Sequence, residues 1–423
     1  MRAGTSSSLR VMSGKPFGVI EGFYGDPWSE EERLRCIEVL AENGADTYVW
    51  APKSEPRHRD RWDEPFTGAE VASFARMIAH RPSVNVSIGL TPGSDADSAA
   101  VAAKLRPVVD AGCRTVTLCF DDLPVLHAGE RHRTIANDVR GMLGTDVWVV
   151  PTHYAGTMGS PYLDELTDGL HPDVLVMWTG RTVVTDTIDA AETRARADVT
   201  GGRPPLLWDN VPVNDAMMSG LLHLGPYHGR DRGVIDACGG ILLNPMISMT
   251  ASLPMIESAC AWWRGADHTA AWEASADRLA LRTLAAATSY PGDPHWPGDR
   301  PGREWFEKVA SMPGTDDADL EPWVDAAKAG AAVCLAALDV IDAVSGGTDP
   351  SAVTRTALPL LGLSAWMRRP VRTLGSGPRN RPLFGQDGTG KFVVTAGAVQ
   401  FTESLPESHV RAAMEALRAR DGA

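Results

Sequence analysis

The 423-residue sequence lacks any apolar run close to the roughly 20 residues that a membrane-spanning helix needs. Its first residues, MRAGTSSSLRVMSGKPF, lack the apolar segment of a secretory signal. Positive charge is also scarce, because 40 Lys and Arg stand against 54 Asp and Glu, a net charge of −14. Nucleic-acid-binding proteins usually present a basic patch. These features predict a cytoplasmic protein that binds neither membranes nor nucleic acid.

Cysteine motifs are missing as well. No CxxC pair or Cys-and-His spacing of a zinc site occurs, and no GxGxxG follows the first predicted strand. The six cysteines are scattered, mostly within apolar segments, and are predicted to be buried free thiols: Cys36, Cys113, Cys119, Cys238, Cys260 and Cys334. We therefore expect neither a metal ion nor a cofactor.

Eight short apolar runs recur between residues 17 and 243, separated by stretches with helical periodicity. The runs are FGVI (17–20), TYVW (47–50), VSIGL (86–90), TVTLCF (115–120), VWVV (147–150), VLVMW (174–178), PLLW (205–208) and ILL (241–243). One predicted helix begins after Ser29, where the sequence SEEE resembles a capping box. Eight strand–helix repeats predict an α/β protein with a (β/α)8 barrel.

Three regions are predicted. Residues 1–15 form a disordered tail, residues 16–265 a catalytic barrel, and residues 266–423 a mostly helical C-terminal region. In the last region, helices are expected at 270–287, 322–344 and 353–367, with a late strand in KFVVTAGAVQF (391–401). No residue of this region shows a pattern that indicates chemistry.

Polar side chains follow the predicted strands, where the active sites of barrel enzymes lie. They are rich in carboxylates, amides and aromatics, which suits the recognition of a sugar ring. The Asp121-Asp122 pair after the fourth strand is central, because cleavage of a glycosidic bond commonly uses two carboxyl groups. Neighbouring side chains of a regular strand point to opposite faces, so both can reach one pocket only if the strand ends there.

Several segments resemble glycoside hydrolase family 84, which includes O-GlcNAcases and bacterial β-N-acetylglucosaminidases that are also described as hyaluronidase-like. They are GVIEGFYGDPWS (18–29), TYVWAPKSEPRHRDRWDEPF (47–66), FDD (120–122), PTHYAG (151–156), WTGRTVV (178–184), LLWDNVPVNDA (206–216), HLGPYHGR (223–230) and NPM (244–246). The resemblance implies a retaining, exo-acting hydrolase in which the 2-acetamido group of the substrate is the nucleophile and forms an oxazoline. Its substrate would be a glycoside or glycoconjugate that bears N-acetylglucosamine.

The family motifs also imply a role for individual residues. Asp121 would orient the acetamido N–H, and Asp122 would protonate the glycosidic oxygen. Tyr154 would hydrogen-bond the oxazoline oxygen, Gly22 would present its carbonyl to the sugar, and Trp208 would line the pocket for the acetamido methyl group. Sugar hydroxyls would be bound by Lys53, Asn210, Asp215 and Asn244. Glu21 and Asp209, within the same motifs, are interpreted as structural.

Alternative functions differ in what they require. A metal-dependent hydrolase would need paired histidines at the strand ends, but only His153 of the eleven histidines falls there. A non-catalytic binding protein would not need both aspartates and Tyr154. A hyaluronidase-type endo-hexosaminidase would have to bind a polyanion despite the −14 charge. The sequence departs from the family pattern at Ser54-Glu55 and at Ala216, which lie around the residues expected to bind the sugar. The sequence therefore leaves open whether the aglycone is a protein, a cell-wall fragment or a small metabolite.

Overall fold

The computed structural model describes residues 14–123, 128–288, 301–371, 373–374, 377–379, 384–394, 400–402 and 404–421. The tail predicted for residues 1–15 therefore falls almost entirely outside the described residues. Within the described part of the chain, no helix is both long enough and apolar enough to cross a membrane.

The first half of the chain forms a closed barrel of eight parallel strands. The strands are β1 (Phe17–Glu21), β2 (Thr47–Trp50), β3 (Asn85–Leu90), β4 (Thr115–Cys119), β5 (Asp146–Val150), β6 (Leu175–Trp178), β7 (Leu206–Asp209) and β8 (Gly240–Leu243). Strand β1 pairs with β2 on one side and with β8 on the other, which closes the sheet. The predicted (β/α)8 barrel is thus confirmed, with every strand within two residues of its predicted position.

Helices follow all eight barrel strands. They are α1 (Glu30–Glu42), α2 (Gly68–His80), α3 (Ser98–Asp110), α4 (Gly129–Leu143), α5 (Pro161–Thr167), α6 (Ala190–Asp198), α7 (Val234–Ala237) and α8 (Met249–Trp263). The capping box predicted at Ser29 is present. The Ser29 side chain accepts a hydrogen bond from the amide of Glu32, and the Glu32 carboxylate accepts one from the amide of Ser29.

The C-terminal region contains seven helices in its described part. They are α9 (His268–Arg278), α10 (Arg282–Thr288), α11 (Arg303–Ala310), α12 (Glu321–Ser345), α13 (Pro350–Ala357), α14 (Gly362–Met367) and α15 (Leu405–Asp421). Two expected helices are interrupted. Ala280 takes a left-handed conformation (φ 55°) between α9 and α10, and a 3-10 turn at Leu358–Leu361 separates α13 from α14.

Two small antiparallel sheets complete the described chain. Strand β10 (Phe384–Gln386) pairs with β11 (Phe392–Val394), and β9 (Gly377–Arg379) pairs with β12 (Gln400–Thr402). The single late strand expected at 391–401 is therefore two strands in different sheets. Residues 395–399, which join them, lie outside the described residues.

The hydrophobic core is layered. One cluster fills the space between the barrel strands and the surrounding helices, and another fills the barrel itself. A third cluster centres on α12 and includes Leu222, Leu224 and Met246 from the loops of the barrel. The C-terminal region therefore packs directly on the barrel. All six cysteines are free and buried, as predicted. The domain boundary at residue 265 stays a prediction.

Candidate active site

A pocket of about 650 Å³ opens at the C-terminal ends of the barrel strands. It collects all nine residues that the sequence singles out: Gly22, Lys53, Asp121, Asp122, Tyr154, Trp208, Asn210, Asp215 and Asn244. Tyr24, Val183, Val184 and Ala216 are among the other lining residues. The described part of the chain contains no group of three or more His, Cys, Asp or Glu side chains arranged to hold a metal ion.

The two adjacent aspartates reach this pocket because β4 ends at Cys119, just before them. Asp122 adopts a left-handed backbone conformation with φ of 52°, which departs from strand geometry and which few non-glycine residues adopt. A strained backbone at a pocket is a common feature of functional sites. The turn lets neighbouring carboxyl groups face the same pocket, as the chemistry of the pair requires.

Asp121 is buried, and only one of its two carboxylate oxygens has a hydrogen-bond partner among the described residues. Its Oδ2 atom accepts from the Lys53 ammonium at 2.5 Å, and both side chains are almost fully buried. Its Oδ1 atom is buried and has no hydrogen-bond partner among the described residues. Burial alone would lower the pKa of Lys53, but the Asp121 carboxylate beside it raises that pKa above the usual value. The site therefore holds a charged lysine next to a carboxylate with one free acceptor.

Asp122 accepts hydrogen bonds from two tyrosine hydroxyls. The Tyr154 hydroxyl donates to Oδ1 at 2.9 Å, and the Tyr24 hydroxyl donates to Oδ2 at 3.0 Å. Burial, reinforced by the Asp122 charge, raises the pKa of Tyr24 to about 12 and raises that of Tyr154 further. Both phenols thus remain protonated donors at neutral pH. The Arg59 guanidinium donates to the Asp122 carbonyl and, at 3.2 Å, to the Tyr24 hydroxyl.

Two further residues of the site, Tyr24 and Arg59, are not among those predicted from the sequence. Tyr24 lies two positions after Gly22 in the EGFYG segment, and Arg59 lies in PRHRDRW. Both segments resemble family motifs, so the sequence does point to the loops that carry these two residues. What the sequence does not show is that these two loops meet over the fourth strand.

The opposite wall of the pocket is a network of amides. The Gly22 amide donates to Asn244 Oδ1 at 3.2 Å, and Asn244 Nδ2 donates to Asn210 Oδ1 at 2.9 Å. Trp208 Nε1 donates to the same Asn210 oxygen at 2.9 Å. A Cβ atom at position 22 would lie only 2.2 Å from the Trp208 ring, which explains the glycine. Burial raises the pKa of Asp215, and the side chain of Asp215 accepts a hydrogen bond from the Tyr24 amide at 2.7 Å.

Glu21 and Asp209 lie beneath the pocket and do not line it. Glu21 forms two hydrogen bonds with Arg33 and accepts from the Trp28 amide. Asp209 forms two hydrogen bonds with Arg230, and both of these side chains are at most 2% exposed. Their partners are protein groups, which agrees with the structural interpretation of both carboxylates.

Replacement of Arg230 by Met is expected to lower the free energy of unfolding by about 3–5 kcal/mol, because the buried Asp209 carboxylate loses its counter-ion. Arg303→Met is the matched control, since Arg303 pairs with Asp339 on the surface with 37% of its side chain exposed. The control should cost at most about 1 kcal/mol. Urea denaturation measures both changes, and equal losses would contradict the prediction.

Comparison with known proteins agrees with the motifs. The family model for beta-N-acetylglucosaminidases (NAGidase) matches residues 17–290. The proteins named Protein O-GlcNAcase from Rattus norvegicus and Mus musculus are each 30% identical over an alignment of 273 residues that covers 58% of this chain. The chain spans 30% of the length of either relative.

Two solved structures share the fold. A mutant of the O-GlcNAc hydrolase from Thermobaculum terrenum superposes with a TM-score of 0.77 at 19% identity, covering 96% of this chain and 95% of that one. CpGH84B gives a TM-score of 0.72 at 21% identity, covering 84% of this chain and 74% of that one. The barrel fold and the family match place the chain in a family of glycoside hydrolases. The chain belongs to the beta-N-acetylglucosaminidase family, which confirms its resemblance to glycoside hydrolase family 84.

Proposed function

We propose that the protein is an exo-acting, retaining β-N-acetylglucosaminidase of the O-GlcNAcase type that uses the acetamido group of its substrate as the nucleophile. The observation that carries this proposal is the free Oδ1 atom of Asp121, buried beside Lys53. A buried acceptor without a partner is costly. A 2-acetamido N–H of a bound sugar would satisfy it, and the same bond would aim the acetamido oxygen at the anomeric carbon.

The two aspartates then have separate tasks. Asp121, paired with the Lys53 ammonium, stabilises the charge that develops on the acetamido nitrogen as the oxazoline forms. Asp122 donates a proton to the leaving oxygen and afterwards removes one from the attacking water.

The remaining pocket residues would hold the sugar. Tyr154 would share its hydroxyl between Asp122 and the oxazoline oxygen, and Trp208 would line the space for the acetamido methyl group. The carbonyl of Gly22 would accept from the ring substituents, while the hydroxyls would be bound by Lys53, Asn210, Asp215 and Asn244. Because the pocket combines polar groups with apolar lining residues such as Val150, Val183 and Trp208, it suits an amphipathic pyranose.

The proposed substrate is a glycoside or glycoconjugate with terminal N-acetylglucosamine. Hyaluronidase-type endo action is disfavoured because a net charge of −14 repels a long polyanion. Release of free N-acetylglucosamine, without larger oligosaccharides, would distinguish exo from endo action. A cytoplasmic location is also proposed, in keeping with six free, buried thiols.

Hydrolysis of fluorogenic β-N-acetylglucosaminides with an acetyl, monofluoroacetyl, difluoroacetyl or trifluoroacetyl group tests substrate assistance. Each fluorine weakens the acetamido oxygen as a nucleophile, so kcat/KM should fall steeply along the series. A flat response would contradict nucleophilic participation of the substrate. No turnover of any member, combined with binding of N-acetylglucosamine, would instead support a non-catalytic glycan-binding protein.

A further inference from the structure

The loop after β5, residues 151–156, carries Tyr154 and is anchored by its backbone. The Tyr162 hydroxyl accepts from the Thr152 amide at 3.0 Å, and the fully buried Arg196 donates to the His153 carbonyl at 2.7 Å. The Tyr154 carbonyl accepts from the amide of Thr179 at 3.0 Å. All these anchors come from the barrel.

Another anchor comes from the C-terminal region, more than 230 residues away. The side-chain amide of Gln386, on β10, accepts from the Ala155 amide at 2.9 Å through Oε1. Through Nε2 it donates to the Thr152 carbonyl, also at 2.9 Å. One buried amide group thus bridges the backbone on both sides of Tyr154, much as a neighbouring strand would.

The β10–β11 hairpin fits closely against this loop and against the loop that follows β6. The Phe384 carbonyl accepts from the amide of Val183, in the loop after β6, at 2.8 Å, and the Phe392 ring lies 6.1 Å from the Tyr154 ring. Gly390, between the two strands, has φ of 78°, and a Cβ atom there would lie 1.9 Å from His153 Nε2. The hairpin is therefore seated on the loop at several points and does not merely pass it.

We propose that Gln386 is a positioning residue for the reaction, acting through Tyr154. The inference rests on the proposed function, in which the Tyr154 hydroxyl serves Asp122 and the oxazoline oxygen. Gln386 is not among the residues that line the pocket, so it does not touch a bound sugar. Its amide fixes the loop so that the Tyr154 hydroxyl stays 2.9 Å from Asp122 Oδ1. The C-terminal region thus completes the site of the barrel.

The test uses Gln386→Leu, which keeps roughly the size of the side chain and removes its hydrogen bonds to Ala155, Thr152 and Gly390, and Gln386→Met, a second apolar replacement of nearly the same length. We expect kcat on a fluorogenic β-N-acetylglucosaminide to fall on the order of 10- to 100-fold in Gln386→Leu, because small displacements of a catalytic group are costly. KM should change little, and Gln386→Met should lose kcat to a similar extent. Val394→Thr, at a 69% exposed position of the same hairpin, is the control and should match wild type.

A double-mutant cycle with Tyr154→Phe separates positioning from general loss of structure. If Gln386 acts through the Tyr154 hydroxyl, Gln386→Leu should add little to the loss already caused by Tyr154→Phe. Independent, multiplying losses would overturn the inference, as would wild-type kcat in Gln386→Leu. If Gln386→Leu lowers the melting temperature, Gln386→Met carries the same test. An inactive wild-type enzyme would refute the proposed function. An active wild-type enzyme whose Gln386 variants keep the wild-type kcat would refute only this inference.

Discussion

Asp122→Asn is expected to abolish the hydrolysis of β-N-acetylglucosaminides with poor leaving groups while largely sparing those with acidic phenols. An amide cannot protonate the glycosidic oxygen, and proton donation of this kind contributes about 10²–10⁴-fold to the rate. A nitrophenolate departs without a proton, whereas an alkoxide does not. The plot of log kcat/KM against leaving-group pKa should therefore be much steeper for the variant than for wild type.

The control for this variant is Asp97→Asn. Asp97 is the N-cap of α3, where its side chain accepts from the Ala100 amide, and Asn is an equally good cap. This variant should retain wild-type rates on every substrate. Equal losses of Asp122→Asn on alkyl and aryl glycosides would exclude Asp122 as the acid, and the assignment would then have to move to another group of the pocket.

Asp121→Asn is expected to reduce turnover of both substrate classes by a similar factor, on the order of 10²–10³. Oxazoline formation is the same step in which the aglycone leaves, because the acetamido oxygen bonds to the anomeric carbon as the glycosidic C–O bond breaks. Loss of the carboxylate that supports this step therefore slows alkyl and aryl substrates alike. The measurement is kcat/KM on one alkyl and one aryl β-N-acetylglucosaminide. Near-normal rates on either substrate would remove Asp121 from this role.

A second effect of Asp121→Asn must be separated from the first. The change also leaves the buried Lys53 ammonium without its carboxylate partner. In the double variant Asp121→Asn, Lys53→Met no buried cation is stranded. Because Lys53 is also proposed to bind a sugar hydroxyl, Lys53→Met alone is the reference: if the loss came only from the unpaired lysine, the double variant would match Lys53→Met. We expect it to be slower, because the acceptor for the acetamido N–H is still missing.

The positions of the barrel strands and pocket residues could be predicted because barrel geometry is repetitive. Each short apolar run becomes a strand, and the polar residues that follow it meet at one end of the barrel. Asp121 and Asn244 are far apart in sequence, yet this rule alone brings them into one pocket. Their chemical roles stay predictions until kinetics test them.

The C-terminal region was less predictable because the points at which its helices end depend on single residues. The left-handed conformation of Ala280 ends α9 although alanine favours helices. Helices α11 and α15 were not predicted, and β10 and β11 have three residues each, too few for a periodic signal. The bridge from Gln386 to Thr152 and Ala155 joins distant segments, which local sequence patterns cannot reveal.

The pairing of β1 with β8 affects how the protein is made. Gly22, just beyond β1, bonds to the Asn244 side chain, just beyond β8, so this wall of the pocket joins the first and last barrel strands. A ribosome must therefore synthesise more than 240 residues before the barrel can close. Until then the nascent chain carries unpaired strand edges, which are templates for aggregation. Arrest before β8 should yield an insoluble fragment and no partly active enzyme.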